Sequence, residues 1–259
     1  MELESATKTH AVLAPIPRAA LGILLTVLLA IGIPNVAAWL TVWSGHLTST
    51  PLPRFGGSLA YLYVHHTYQL ALGLVAVAAL KCLVPADYGL HRPRGKSYFG
   101  AALVWGLIFG AVMTLVDYAP EILAHRAPKL GYPLTPQTVV GWLVFEGAYV
   151  GPTEEIPFRA LLVTYLANML PARLRVAQFE MRWAGVIVAG LFALLHSFNF
   201  YLRPWPEALG QQIYAFVLGV FYAYWLEKSR SVIAPAIGHN VGDVVEYIIL
   251  FIWVAWSID

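Results

Sequence analysis

Charge is scarce in this chain. Asp, Glu, Lys and Arg make up 12% of its 259 residues, about half the share of a soluble domain. That leaves too few to coat a globule in water, and 59% of the residues are hydrophobic, with a mean hydropathy of +0.67. The net charge of +2 gives nucleic acid no footing. Cys82 is the lone cysteine, which excludes an internal disulfide and a zinc cluster built from thiolates. There is no internal repeat, no low-complexity tract and no His-Glu-x-x-His helix of the zinc-peptidase kind. A cleavable signal peptide is not expected either. Met1–Pro17 carries acids and prolines, and the apolar run after Arg18 is too long for an h-region.

What the chain has is long apolar runs. The expected fold class is all-α, a polytopic membrane helix bundle of seven to eight transmembrane helices. Ala19–Trp43, with Pro34 as a kink, is long enough to cross about 30 Å of hydrocarbon. A loop follows at Pro51, Pro53 and Gly56-Gly57. Further spans are expected at Ser58–Leu80, Ser97–Val116, Thr138–Leu170, Ala184–Tyr201, Leu209–Leu226 and Ser231–Trp256. Thr138–Leu170 exceeds a straight crossing, so tilt or a break is expected. Gly238 and Gly242 are expected to break the last span and give an eighth half-span. Lys81–Lys96 and Arg173–Arg182 read as basic loops. The proline-broken stretch Asp117–Gln137 reads as polar, with part of it an interfacial helix. Trp43, Trp183, Trp253 and Trp256 lie near span ends, where indole anchors belong.

With the N-terminus inside, eleven Lys and Arg fall in cytoplasmic segments and four on the opposite side. The positive-inside rule therefore favours a cytoplasmic N-terminus. Cys82 then lies on the reducing side, where a free thiol is expected. The chain reads as one integral membrane domain, residues 1–137 supplying N-terminal helices and loops and residues 138–259 the remaining helices. A bacterial inner membrane is the expected location.

Against that apolar background the stretch Gly151-Pro-Thr-Glu-Glu-Ile-Pro-Phe-Arg159 stands out. Each ionised side chain at the bilayer centre costs about 2.5–3.5 kcal/mol, so these charges must face a polar cavity. Counting along the spans puts Glu154 roughly 22 Å deep, His196 roughly 18 Å, His239 roughly 12 Å and Asp243 roughly 18 Å. All four fall in or near the middle band of the bilayer. Glu155 and Arg159 stand at i,i+4 and can neutralise one another. Glu154 points about 100° away and has no partner on its own helix, which leaves it available as a general base. Pro152 and Pro157 free the carbonyls of Ala148 and Thr153. Such breaks belong beside protein or a water-filled cavity. His239 and Asp243 are again i,i+4, and Glu246 continues their face. A carboxylate base, a histidine that shares a proton with water and a second histidine for a developing oxyanion make a hydrolytic site. The same atoms, Glu154, His196, His239 and Asp243, could instead ligate a metal. His65-His66 and Glu146 stand outside any motif and read as structural.

Glu154-Glu155-x-x-x-Arg159, Phe192-x-x-x-His196 and His239-x-x-x-Asp243, in that order on separate hydrophobic helices, resemble the three motifs of the CPBP family. These are the CAAX protease and bacteriocin-processing, or ABI, intramembrane proteases. The resemblance spans roughly Thr138 to Glu246. It implies an eight-helix bundle that cleaves a membrane-associated peptide or protein. It also implies that Glu154 and His196 activate water while His239 and Asp243 serve the oxyanion. Catalytic residues on this reading are Glu154, Glu155, Arg159, His196, His239 and Asp243, with no cofactor and no nucleic-acid partner. Two positions depart from the family pattern: Ala160 where Gly is usual and Asp243 where Asn is usual. An ionised Asp cannot donate to an oxyanion. That leaves three roles for the last motif: a protonated Asp243, an Asp243 that orients His239, or help from Asn240. The alternatives are a zinc-dependent form of the same protease, a non-catalytic immunity or scaffold protein of the same fold, and a proton-coupled transporter. The transporter predicts inverted repeats, which the sequence lacks.

Overall fold

Helices here follow from the apolar runs. The computed structural model describes residues 16–47 and 58–257. The expected loop at Pro51, Pro53 and Gly56-Gly57, and most of the Met1–Pro17 segment, lie outside them. Helix α1 is Ile16–Leu47 and contains Pro34; α2 is Leu59–Leu83 and starts where the Ser58 side chain accepts from the Tyr61 N–H. Helix α3 is Phe99–Asp117 and the short α4 is Ala119–Leu123, inside the stretch expected to hold an interfacial helix. Helices α8, Trp183–Leu195, α9, Trp205–Ser229, and α10, Ile233–Trp256, complete the long elements.

The motif-bearing span is a compound helix. It begins at Thr135 with a reciprocal Thr135–Thr138 cap and runs as α5, Pro136–Val144. It then widens into a π-helical turn, Phe145–Tyr149, returns to α geometry as α6, Val150–Glu155, and widens again over Ile156–Val163. Helix α7, Thr164–Met169, ends it. The expected break is thus two π turns rather than a gap. Pro152 and Pro157 supply no N–H, and π turns absorb such breaks, often at functional sites. The Thr153 carbonyl, freed by Pro157, accepts from Gln69 Nε2 of α2 at 3.2 Å.

Two expectations are corrected. Arg173–Arg182 is an antiparallel hairpin, with β1, Arg173–Val176, paired to β2, Phe179–Arg182. Glu180 bridges Arg173 and Arg175 along it and gives the basic run a local counter-charge. Helix α10 is continuous, so no eighth half-span forms. Its Gly238 and Gly242 serve close packing instead: a Cβ on Gly238 would lie 2.6 Å from the Trp225 ring. The fifth span, expected over Ala184–Tyr201, forms as Trp183–Tyr201, with its last turn a 3-10 turn, His196–Tyr201. Among the described residues, five helical stretches are long and apolar enough to cross a bilayer, fewer than the seven to eight expected. The compound helix is divided into short pieces, and α9 carries Glu207, Gln211 and Gln212 in its first half.

The surface is apolar where lipid belongs, as at Leu28, Trp39, Leu103 and Leu107. The interior buries Glu155, Arg159 and His239. Helices α3 and α10 approach through small residues, the usual device where lipid competes with side chains for apolar contact. A Cβ on Gly106 would stand 3.0 Å from the Gly238 carbonyl oxygen, and one on Gly110 would stand 2.5 Å from that of Gly242. This packing fixes the helix that carries His239 and Asp243.

Candidate functional site

The opening motif places its two glutamates in different surroundings. Glu155 and Arg159 are both fully buried, with Arg159 Nε 3.1 Å from Glu155 Oε2. The pair is electrostatic, because the guanidinium N–H groups point off the line of a hydrogen bond. Arg159 is also held by aromatic faces, its guanidinium carbon 4.3 Å from the Phe192 ring centre and 5.5 Å from that of Tyr222. Such contacts contribute about 2 kcal/mol or more when desolvated. Phe192, the first residue of the second motif, therefore has a physical task of its own.

Glu155 does more than neutralise Arg159. Its Oε1 lies 2.8 Å from His239 Nδ1, and His239 Nε2 lies 3.2 Å from Asp243 Oδ2. Both ring nitrogens of His239 thus face carboxylate acceptors. Tyr222 stacks on the imidazole at 5.6 Å between ring centres and 19° between planes. Of the three roles open to the last motif, this geometry fits an Asp243 that orients His239. The Asn240 Oδ1 accepts the Gly151 N–H at 2.7 Å, tying α10 to the start of the motif. A side chain at Gly151 would meet that oxygen at 2.5 Å.

Glu154 has no such clamp. Its Oε2 is 3.7 Å from His239 Nε2 and its Oε1 is 3.9 Å from His66 Nε2. Both distances exceed a hydrogen bond, so the carboxylate is bracketed by two imidazoles and held by neither. His196 Nδ1 lies 2.9 Å from the Phe192 carbonyl oxygen. A carbonyl only accepts, so Nδ1 carries the proton, and Nε2 is the basic nitrogen of the neutral ring.

Glu154, His196, His239 and Asp243 line one cavity of about 210 Å³. Glu146, read as structural from sequence, lines it too, as do Glu246 and Asp117. Asp117 is paired with Arg203 at 2.9 Å and accepts from the Tyr214 hydroxyl at 3.0 Å. His66 is buried against Thr153, while His65 stacks on Tyr61 at 5.7 Å, as a structural histidine does. The signal for His66 and Glu146 was their position inside an apolar span. Without a motif around them it pointed to no role. Among the described residues, no group of three or more His, Cys, Asp and Glu is arranged to hold a metal ion. Of the expected donor set, His239 has Glu155 and Asp243 at its two ring nitrogens and His196 Nδ1 faces the Phe192 carbonyl, so no step through zinc is derived.

Fold and site together define an integral membrane protein with an acid–histidine cavity buried among its helices. Residues 136–245 match the family model of the Rce1-like proteins, described as type II CAAX prenyl endopeptidases. That match supports the CPBP/CAAX protease family, a family of peptidases, and covers the compound helix, the hairpin, α8, α9 and most of α10. No curated protein and no solved structure matches the chain.

Proposed function

We propose that the chain is an intramembrane endopeptidase that hydrolyses a peptide bond of a membrane-associated protein or peptide. Glu154, assisted by His196 Nε2, takes a proton from water, and the resulting hydroxide adds to the peptide carbonyl. His239 stabilises the oxyanion through Nε2–H, which turns from Asp243 toward the developing charge. Glu155 and Asp243 orient His239, and Arg159 balances Glu155. Glu154 then returns the proton to the leaving amine as the C–N bond breaks. The observation that carries this reading is the unclamped Glu154, 3.7 Å from His239 in a cavity that His196 also lines. General acid–base groups of this kind contribute about a hundredfold to ten-thousandfold.

In this reading residues 138–259 are the catalytic core, and residues 1–137 supply supporting helices. The chain lies in a bacterial plasma membrane with its N-terminus in the cytoplasm, as its loop charges favour, and no metal enters the reaction. The test is Glu154→Gln in the full chain, assayed on membrane-tethered peptides that include the prenylated CAAX ends named in the family description. Cleavage should fall by at least about a hundredfold with the fold retained. Undiminished cleavage would refute the role. A Glu154-dependent proton leak in liposomes, without cleavage, would favour a transporter.

A further inference from the structure

His66 lies outside the three motifs, on α2, and is buried, its side chain 8% exposed. Its Nδ1 is 2.9 Å from Thr153 Oγ1. That hydroxyl has one proton, already directed at the carbonyls of Val150, at 2.8 Å, and Tyr149, at 3.0 Å. Thr153 Oγ1 is therefore an acceptor, and His66 Nδ1–H donates to it. The remaining lone pair of the neutral ring, on Nε2, faces Glu154 Oε1 at 3.9 Å. The other neighbours of the ring are His65, with centres 5.5 Å apart, Phe145, edge-on at 5.0 Å, and the more distant charge of His239.

We infer that His66 is a positioning residue for Glu154, holding its carboxyl through the interval in which it carries the proton taken from water. The inference rests on the role proposed above for Glu154. An ionised carboxylate has no proton to offer Nε2. Once an O–H bond of water breaks and its proton sits on Glu154, the carboxyl becomes a donor and His66 Nε2 its acceptor. The gap closes by a small side-chain rotation, as catalytic contacts do on going from the free enzyme to the complex. The O–H···N bond keeps the carboxyl turned toward the cavity while the hydroxide adds. The proton then passes to the amine as the C–N bond breaks, and His66 ends as it began. Thr153 fixes the tautomer, so its place directly before the two glutamates is part of the device.

Two substitutions separate this role from simple anchoring. In His66→Asn the amide reaches Thr153 but presents nothing to Glu154. In His66→Gln it reaches the position of Nε2 but not Thr153. Both are assayed in the full chain in nanodiscs on membrane-tethered peptides, beside Glu154→Gln, with thermal unfolding in parallel. His66→Asn should unfold like the parent, keep its KM and lose about a hundredfold in kcat, the effect of a misplacement of about 1 Å. His66→Gln should recover part of that kcat. Parent-like kcat in His66→Asn, or losses in both variants that follow lowered thermal stability, would overturn the inference. An inactive Glu154→Gln beside a parent-like His66→Asn removes only the inference. A fully active Glu154→Gln removes the role of Glu154 and the inference with it.

Discussion

Arg159→Met deletes the guanidinium and keeps most of the side-chain volume. In the parent, a charge at Arg159 Nε sits 3.1 Å from Glu155 Oε2, both fully buried. Coulomb's law at an effective dielectric of about 20 gives roughly 5 kcal/mol at that separation. The aromatic contacts with Phe192 and Tyr222 add about 2 kcal/mol, while the desolvation of Arg159 is relieved by its removal. Breaking a buried pair by deleting one partner costs about 3–5 kcal/mol, and Arg159→Met should fall in that range. The neutral pair Arg159→Met with Glu155→Gln should cost less than the two single changes together, by about 1–3 kcal/mol. The assay is equilibrium unfolding of the full chain in mixed micelles by graded addition of SDS, run as a double-mutant cycle. A cost below about 1 kcal/mol for Arg159→Met, the range of a surface pair, would refute the claim that this pair holds the motif in place.

Gly110→Val should destabilise by about 1–3 kcal/mol, because its Cβ would meet the Gly242 backbone oxygen at 2.5 Å, whereas Gly100→Ala, with open space beside it, should be silent in the same titration. Chelator should leave cleavage by purified protein unchanged; inhibition that added zinc reverses would overturn the glutamate mechanism. Between α2 and α3, burial favours a neutral Asp87, but the Gly89 N–H, His91 and Arg94 outweigh it and hold the carboxyl below its usual range. A depressed carboxyl contributes stability above its unfolded value of about 3.9 and loses it as pH falls through the folded value. Asp87→Asn should therefore abolish a small loss of protection of the Arg92–Arg94 segment below about pH 4, read by hydrogen exchange; an unchanged acid profile would count against the clamp.

Much of this was legible because intramembrane charge is expensive and therefore rare. The i,i+4 spacing gave Glu155–Arg159 and His239–Asp243 directly, and both pairs form. Depth counting gathered Glu154, His196, His239 and Asp243, and they share a cavity. The misses have a common cause. Helix periodicity describes one element at a time, so it could not show that Glu155 also reaches His239, that Asn240 accepts from Gly151, or that His66 faces Glu154. The π turns were not legible either. Prolines tell where helix hydrogen bonds fail but not whether the chain bends, breaks or widens there. The hairpin was hidden because Arg173, Arg175 and Arg182 look like loop charge until Glu180 is seen between them.

The charges around His239 also bear on which glutamate reacts. The inner cluster holds three carboxylates, Glu154, Glu155 and Asp243, and two basic groups, Arg159 and His239. Glu155 is bound to both basic groups and Asp243 to one at short range, so protonating either carboxylate would break a pair already formed. Glu154 has neither partner within hydrogen-bonding distance. Taking up a proton there breaks no formed pair and relieves the excess of negative charge. On the proposed reading Glu154 is thus the carboxylate around His239 left free to act as base, and the small residues that seat α10 against α3 hold His239 and Asp243 beside it.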